Sequence, residues 1–246
     1  MKLLKFYSLL CILFFSCNNA PKESANDIVN NAIIKAGGSA FEASKLSFDF
    51  RDKSYKATRN KGLFELEQTY ISEGDTIHNV LSNRTFKHFV NSKEQILNDT
   101  LVSKYKNALN SVHYFSILPY GLNAPAVNKM DMGEVKIKGE TYQKIKVTFN
   151  KDGGGDDFDD VFIYWFHKEK KTTDYLAYKY QTNGGGIRFR EAKNKRFVNN
   201  LLIVDYNNYK PKTENIDFYT IDNLFNSGEL ELVSEINLKN VKVEIQ

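Results

Sequence analysis

VFIYWF (residues 161–166) carries no charge and no small polar side chain in six consecutive positions. Successive side chains of an extended strand point to opposite faces, so both faces of this one are apolar. Such a strand has to be covered on both sides. The preceding segment differs: Gln143, Ile145, Val147 and Phe149 alternate with Lys144, Lys146 and Thr148, the pattern of a half-buried strand. DYLAYKY (174–180), IRFREAKNKRFV (187–198), LLIVDYNNY (201–209) and an alternating stretch with Leu230, Leu232, Ile236 and Leu238 continue a meander. A short helical turn near 221–225 precedes the last of these.

Working back toward the N-terminus, the period stays at two. Leu46, Phe48 and Phe50 alternate with Ser47 and Asp49, and further strands are predicted over 54–60, 63–72, 76–82 and 85–91. Two helices interrupt the strands. Ser24 and Asp27 form a capping-box pattern, Ile28, Val29, Ala32, Ile33 and Ala36 share a helical face, and Gly37-Gly38 ends it. A second stripe, Leu101, Tyr105, Ala108, Leu109, Val112, Phe115 and Ser116, runs to an exit at Pro119. There is no linker, repeat or composition break. The expected fold is one α+β domain over 25–246: a single strongly curved antiparallel sheet, a half-barrel, with helices packed on its concave face.

Composition supports sheets. Eighteen Phe, 14 Tyr and one Trp in 246 residues suit a pleated, half-buried surface. The formal charge is +4, with acids and bases mixed along the whole chain. No basic stripe forms, which excludes nucleic acid as a partner.

The first residues, MKLLKFYSLLCILFFSCNN, place Lys2 and Lys5 before a short apolar run from Phe6 to Phe15. That run is too short to span a bilayer and reads as a signal peptide, residues 1–16. LFFSC resembles a bacterial lipobox, which implies a lipidated Cys17 at the mature N-terminus, although Phe14 and Phe15 stand where smaller or aliphatic residues are usual. The remaining cysteine, Cys11, lies in the leader, so no disulfide framework is available. Residues 17–24 then form a lipidated tether and the membrane is a partner through this anchor. Asn18 and Asn19 after the cysteine point to the outer membrane, with the domain facing the periplasm or the cell surface. The competing reading is a soluble secreted protein.

GGGDDFDD (153–160) is the most conspicuous polar motif. It lacks the Lys and Ser/Thr of a phosphate loop and precedes no helix. The calcium-loop spacing fails as well: counted from Asp152, positions five and six are Asp156 and Asp157, and the sixth needs a glycine. The turn reading remains, with a matching glycine turn at 183–186. Alternate turns of a meander lie on one edge, so Asp157 and Asp160 are expected to form a structural ion-pair cluster with Arg188 and Arg190. The four histidines, His78, His88, His113 and His167, have no metal-ligand spacing. His113 lies near Ser111 and Tyr114, but no serine sits in a nucleophile elbow. No catalytic residue, metal or cofactor is expected.

NAIIKAGGSAFEASKLSFDF (31–50) is similar to the opening of proteins with the LolA-like fold, the periplasmic lipoprotein carriers and their outer-membrane lipoprotein-sorting relatives. The segments SFDFRDKSYKATRN, SVHYFSILPYGLNAPAVNK, GGGDDFDDVFIYWF, GGGIRFREA and VDYNNYKPK look like an uncharacterised lipoprotein family of the Bacteroidota. Members of it are sometimes labelled deoxyribose-phosphate aldolase; the run of strand after strand argues against that label, since such aldolases are (β/α)8 barrels. The resemblance implies a half-barrel that binds a hydrophobic or acylated ligand without catalysis, an acyl chain being the expected partner. The apolar residues expected to ring the pocket are Phe48, Phe64, Tyr105, Leu109, Phe149 and Trp165. An envelope interaction module with a filled core is the alternative, and a hydrolase a more distant one.

Overall fold

Ser24 accepts a hydrogen bond from the Asp27 amide, and the Asp27 carboxylate accepts one from the Ser24 amide. This reciprocal cap starts α1 (Ala25–Ala36), whose buried residues are the five of the expected stripe. Gly37 ends it at φ 135°, where a side chain would strike the Asn200 carbonyl and Leu201 at 2.8 Å. The helix end is thereby seated on the sheet behind it. These are features of a computed structural model, which describes residues 22–156, 158–181 and 184–246. Cys17 and Asp157 lie outside the described residues.

Six strands follow a 3₁₀ turn at Gly38–Glu42: β1 (Ala43–Phe50), β2 (Lys53–Asn60), β3 (Leu63–Ser72), β4 (Asp75–Ser82), β5 (Phe86–Val90) and β6 (Lys93–Gln95). Helix α2 (Asp99–Ser116) is capped by Asn98. The meander then runs through β7 (Val127–Ile137), β8 (Glu140–Phe149), β9 (Val161–His167), β10 (Thr173–Tyr180), β11 (Gly186–Val198), β12 (Leu201–Pro211), the short α3 (Ile221–Asn226), β13 (Leu230–Ile236) and β14 (Lys239–Ile245). Every described strand pair is antiparallel, which excludes a (β/α)8 barrel.

The antiparallel α+β reading holds, with one refinement. Hydrogen bonding divides the wall into two ladders of seven, in the orders β14-β1-β2-β3-β4-β5-β6 and β13-β12-β11-β10-β9-β8-β7. The division arises because β14 crosses from the second ladder to pair with β1, leaving β13 and β14 unpaired with each other. Asp205 bridges this seam by accepting the Leu238 amide at 2.9 Å, and Arg196 donates to the Leu238 carbonyl at 2.7 Å.

Inner-face residues of both ladders share one core. Leu46, Phe48, Tyr55 and Leu66 from the first meet Ile145, Val147, Tyr164 and Ile203 from the second. Helices α1 and α2 cover this concave side. Helix α3 does not join them. It lies on the outer side of the second ladder, over Ile163, Trp165, Tyr175 and Phe189. The double-sided apolar demand of VFIYWF is thus met by α2 and the first ladder within and by α3 without.

Candidate functional site

Helix α2 lies between the two ladders rather than flat on one. On one side His113 is buried against the first ladder, its ring edge-on to Phe48 and Tyr55 at 6.0 and 5.6 Å. Its Nε2 donates to the Glu67 carbonyl at 3.0 Å, so Nδ1 is the bare nitrogen, and it has no partner. Burial pulls this imidazole down to about 4, which keeps it neutral. A neutral, backbone-bonded histidine with its free nitrogen enclosed is a packing group, and Ser116 Oγ bonds the His113 carbonyl rather than its ring.

On the other side, Tyr114 and Phe115 face β9 and β10. The Tyr114 and Tyr164 hydroxyls meet at 3.1 Å, and burial raises both phenols, Tyr114 to about 12. The Phe115 ring lies 5.2 Å from that of Tyr178 and 6.2 Å from that of Phe162. Around it the fit opens. A cavity of about 300 Å³ is bordered by Phe115, Phe149, Phe162, Tyr178, Asp160 and Arg188. Another, of about 250 Å³, is bordered by Phe115, Tyr178, Arg190, Val204, Tyr206 and Ile236. Phe115, Tyr178 and Ser111 belong to both, so the two spaces are compartments of one cleft.

The base of the cleft is set by strand parity. Leu176 and Tyr178 on β10 and Arg188 and Arg190 on β11 face inward, with Tyr178 opposite Arg188 and Leu176 opposite Arg190. The Arg190 guanidinium sits 3.7 Å over the Phe115 ring and donates to the Tyr178 hydroxyl at 3.0 Å, and the residue as a whole is buried. Cation–π contact of this kind fixes both the ring and the charge. Gly154 closes the far end, where a Cβ would come within 2.2 Å of the Asn150 carbonyl. A third space, about 240 Å³, lies across α2 against the first ladder, beside Phe64, His113, Tyr120 and a buried Arg59.

The expected pocket residues scatter. Phe149 borders the main cleft and Phe64 the third space. Phe48 and Leu109 are packed solid in the core, Phe48 stacked on Tyr55 at 5.3 Å. Tyr105 lies flat on His88 at 5.1 Å. Trp165 is a correction: it points outward, into the cluster under α3, because the inward residues of its strand are Phe162, Tyr164 and Phe166. Gly154 and Asp160 from the first glycine segment and Tyr180 and Arg188 from the strands flanking the second border a single cavity. The Arg190 guanidinium is held by Phe115 and Tyr178, and its expected pairing with Asp157 falls outside the described residues. Asp156 pairs with Lys106 of α2 at 3.4 Å, tying the loop to the helix. Phe115, Phe162 and Tyr178 were the residues the sequence reading missed. The signal available for them was the alternation Phe162-Tyr164-Phe166 and Leu176-Tyr178 on one side of adjacent strands.

The profile of a family of unknown function (DUF6503) matches residues 4–238. The chain belongs to that family. No curated protein matches this DUF6503 chain. Among solved structures it is similar to a LolA superfamily protein from Nitrosomonas europaea, with 10% identity, 92% of this chain and 96% of the other covered, and a TM-score of 0.50. It is also similar to a domain assigned to outer-membrane lipoprotein sorting from Vibrio parahaemolyticus, with 9% identity, 88% and 91% covered, and a TM-score of 0.45. The first likeness shows that the DUF6503 chain has the LolA-like fold.

Proposed function

We propose that the protein is a non-enzymatic, lipid-anchored component of the cell envelope that holds a hydrophobic or acylated ligand in the cleft between α2 and β9–β12. The observation that carries this reading is the cleft itself: two compartments of about 250 and 300 Å³ meeting at Phe115 and Tyr178. That scale suits a small-molecule site; the smaller compartment is the more apolar, and the larger also carries Asn107, Asn110, Asp160 and Arg188. Burial of a chain there contributes about 0.8 kcal/mol per CH₂, enough for useful affinity without special chemistry. Lipoprotein sorting is ascribed to one protein of similar structure; the envelope setting here rests on the leader and Cys17.

Titration with a fluorescent fatty acid tests the cleft: saturable binding, displaced by unlabelled fatty acid, is expected. Absence of saturable binding leaves the interaction-module reading, which the solid packing of Phe48, Tyr55 and Leu109 favours for the rest of the concave face. The anchor has its own test. Cys17→Ala is expected to move the protein from the membrane to the soluble fraction, and persistence in the membrane would refute lipidation at this position.

A further inference from the structure

Most buried polar atoms of a folded chain are partnered, so an unpartnered pair bordering one cavity calls for an account. Arg190 and Asn208 are cross-strand neighbours on β11 and β12, and both border the smaller compartment of the cleft. Arg190 is 8% exposed and Asn208 is 9% exposed. Arg190 Nε and Asn208 Oδ1 have no hydrogen-bond partner. Asn208 reaches Ser234 Oγ at 3.2 Å through its amide nitrogen. A hydroxyl serves an amide equally well as donor or acceptor, so a flip of Asn208 would turn its NH₂ toward the cavity.

The wall around this pair has a definite polarity. Among the described residues that border the compartment, Arg51 and Arg190 are the charged ones, and neither Asp nor Glu is among them. Apolar and aromatic groups such as Val112, Phe115, Val204 and Ile236 supply much of the remaining surface, together with the hydroxyls of Ser111, Ser116 and Ser234. A buried guanidinium with an idle N–H and only neutral groups around it is costly unless a counter-charge completes it. An arginine fork suits the planar geometry of carboxylate and phosphate oxygens.

We infer that this compartment receives the anionic head of a single-chain amphiphile, with Arg190 and Asn208 as the head-group ligands and the chain lying along the apolar wall past Phe115. This deepens the apolar-ligand reading and rests on it. It adds a requirement that hydrophobicity alone does not make, namely selection by charge.

The test uses the wild-type protein and three probes of equal chain length: dodecanoate, dodecyl phosphate and dodecanol, each below its micelle-forming concentration at neutral pH. Calorimetry or equilibrium dialysis is expected to show one or both anions binding roughly 10–100-fold more tightly than the alcohol, the range for a hydrogen bond to a charged partner. The better anion identifies the head as carboxylate or phosphate. Equal affinity for all three in the wild type would overturn the head-group subsite while leaving the apolar cleft standing. Lack of saturable binding by any probe would overturn both. Arg190→Gln is expected to bring the three affinities together, and Asn208→Leu to narrow the gap several-fold; a preference retained by a folded Arg190→Gln would remove Arg190 from the role. The wild-type ratio decides the matter even where a variant fails to fold.

Discussion

The two faces of β9 use alternate residues of one apolar run and finish differently. Outside, Ile163 and Trp165 are fully buried under α3, and Trp165, Phe189, Phe225, Tyr175 and Tyr209 meet in unbroken ring contacts, the nearest at 4.6 Å. Inside, Phe162 and Tyr164 meet a helix that must also serve the opposite ladder, and space is left around Phe115. A six-residue α3 docked on one surface can follow that surface closely. Helix α2, wedged between two, cannot match both along its length. Apolar character alone therefore decides that a face is covered, and the geometry of the cover decides whether it is filled.

The largest test bears on the outer face. Lys144 and Asp222 are buried there as an ion pair at 2.6 Å, with Lys144 also donating to the Tyr219 carbonyl. Lys144→Met strands the Asp222 carboxylate and is expected to cost about 3–5 kcal/mol in chemical denaturation, whereas Lys144→Met with Asp222→Leu should recover most of that loss. Trp165→Ala should likewise cost about 3–5 kcal/mol by emptying a packed site, while leaving ligand titration unchanged. If Trp165→Ala abolished binding in a protein that still folds, the division of labour between the faces would be wrong.

The next test falls across α2 from the cleft, against the first ladder. His113 sits well below its ordinary value in the fold, at about 4, because burial disfavours its charged form. As the pH drops the unfolded chain therefore binds this proton first. The fold loses stability between about pH 6.5 and pH 4, by up to about 3 kcal/mol, and gains nothing from His113 above that window. His113→Gln should flatten this part of the stability profile. A profile unchanged by that substitution would mean that His113 is not enclosed as described.

The smallest effect on stability is expected inside. Phe115 is half-buried, and Phe115→Ala should cost only about 1–2 kcal/mol. Its consequence lies in binding, because it opens one compartment into the other and should shift the preferred chain length upward in a series of fatty acids. An unaltered preference would show that the compartments do not act together.

Much of the architecture was legible because it follows from period and punctuation. The helix from Ala25 to Ala36, the strand at 63–72 and the α3 turn all stand where alternation, caps and glycines put them. Strands β7 and β14 were not read. On β7 the apolar residues Met130 and Met132 fall on one parity and Val135 and Ile137 on the other, because a shift of register between Asp131 and Glu134 breaks the alternation. The cleft was less legible than the fold. Alternation separates Trp165 from Phe162 on their own strand, but which set faces inward depends on register with β8, where Trp165 lies opposite Lys144. That register is set between strands and is invisible within either. The contacts of Arg190 were hidden for the same reason: the ring below its guanidinium, Phe115, comes from a helix far away in sequence.

One consequence of the divided wall concerns neighbours rather than ligands. Two open ladders present four edge strands, each a template on which another chain could pair. All four are blunted. Strand β6 is three exposed residues, Lys93, Glu94 and Gln95. Strand β7 carries the register break and charges of both signs. Glu231 and Glu235 punctuate β13, and Lys239, Lys242 and Glu244 punctuate β14. Charges and bulges of this kind penalise edge-to-edge addition of a second molecule. Both ladders can thus stay open at their ends without recruiting a second copy strand to strand.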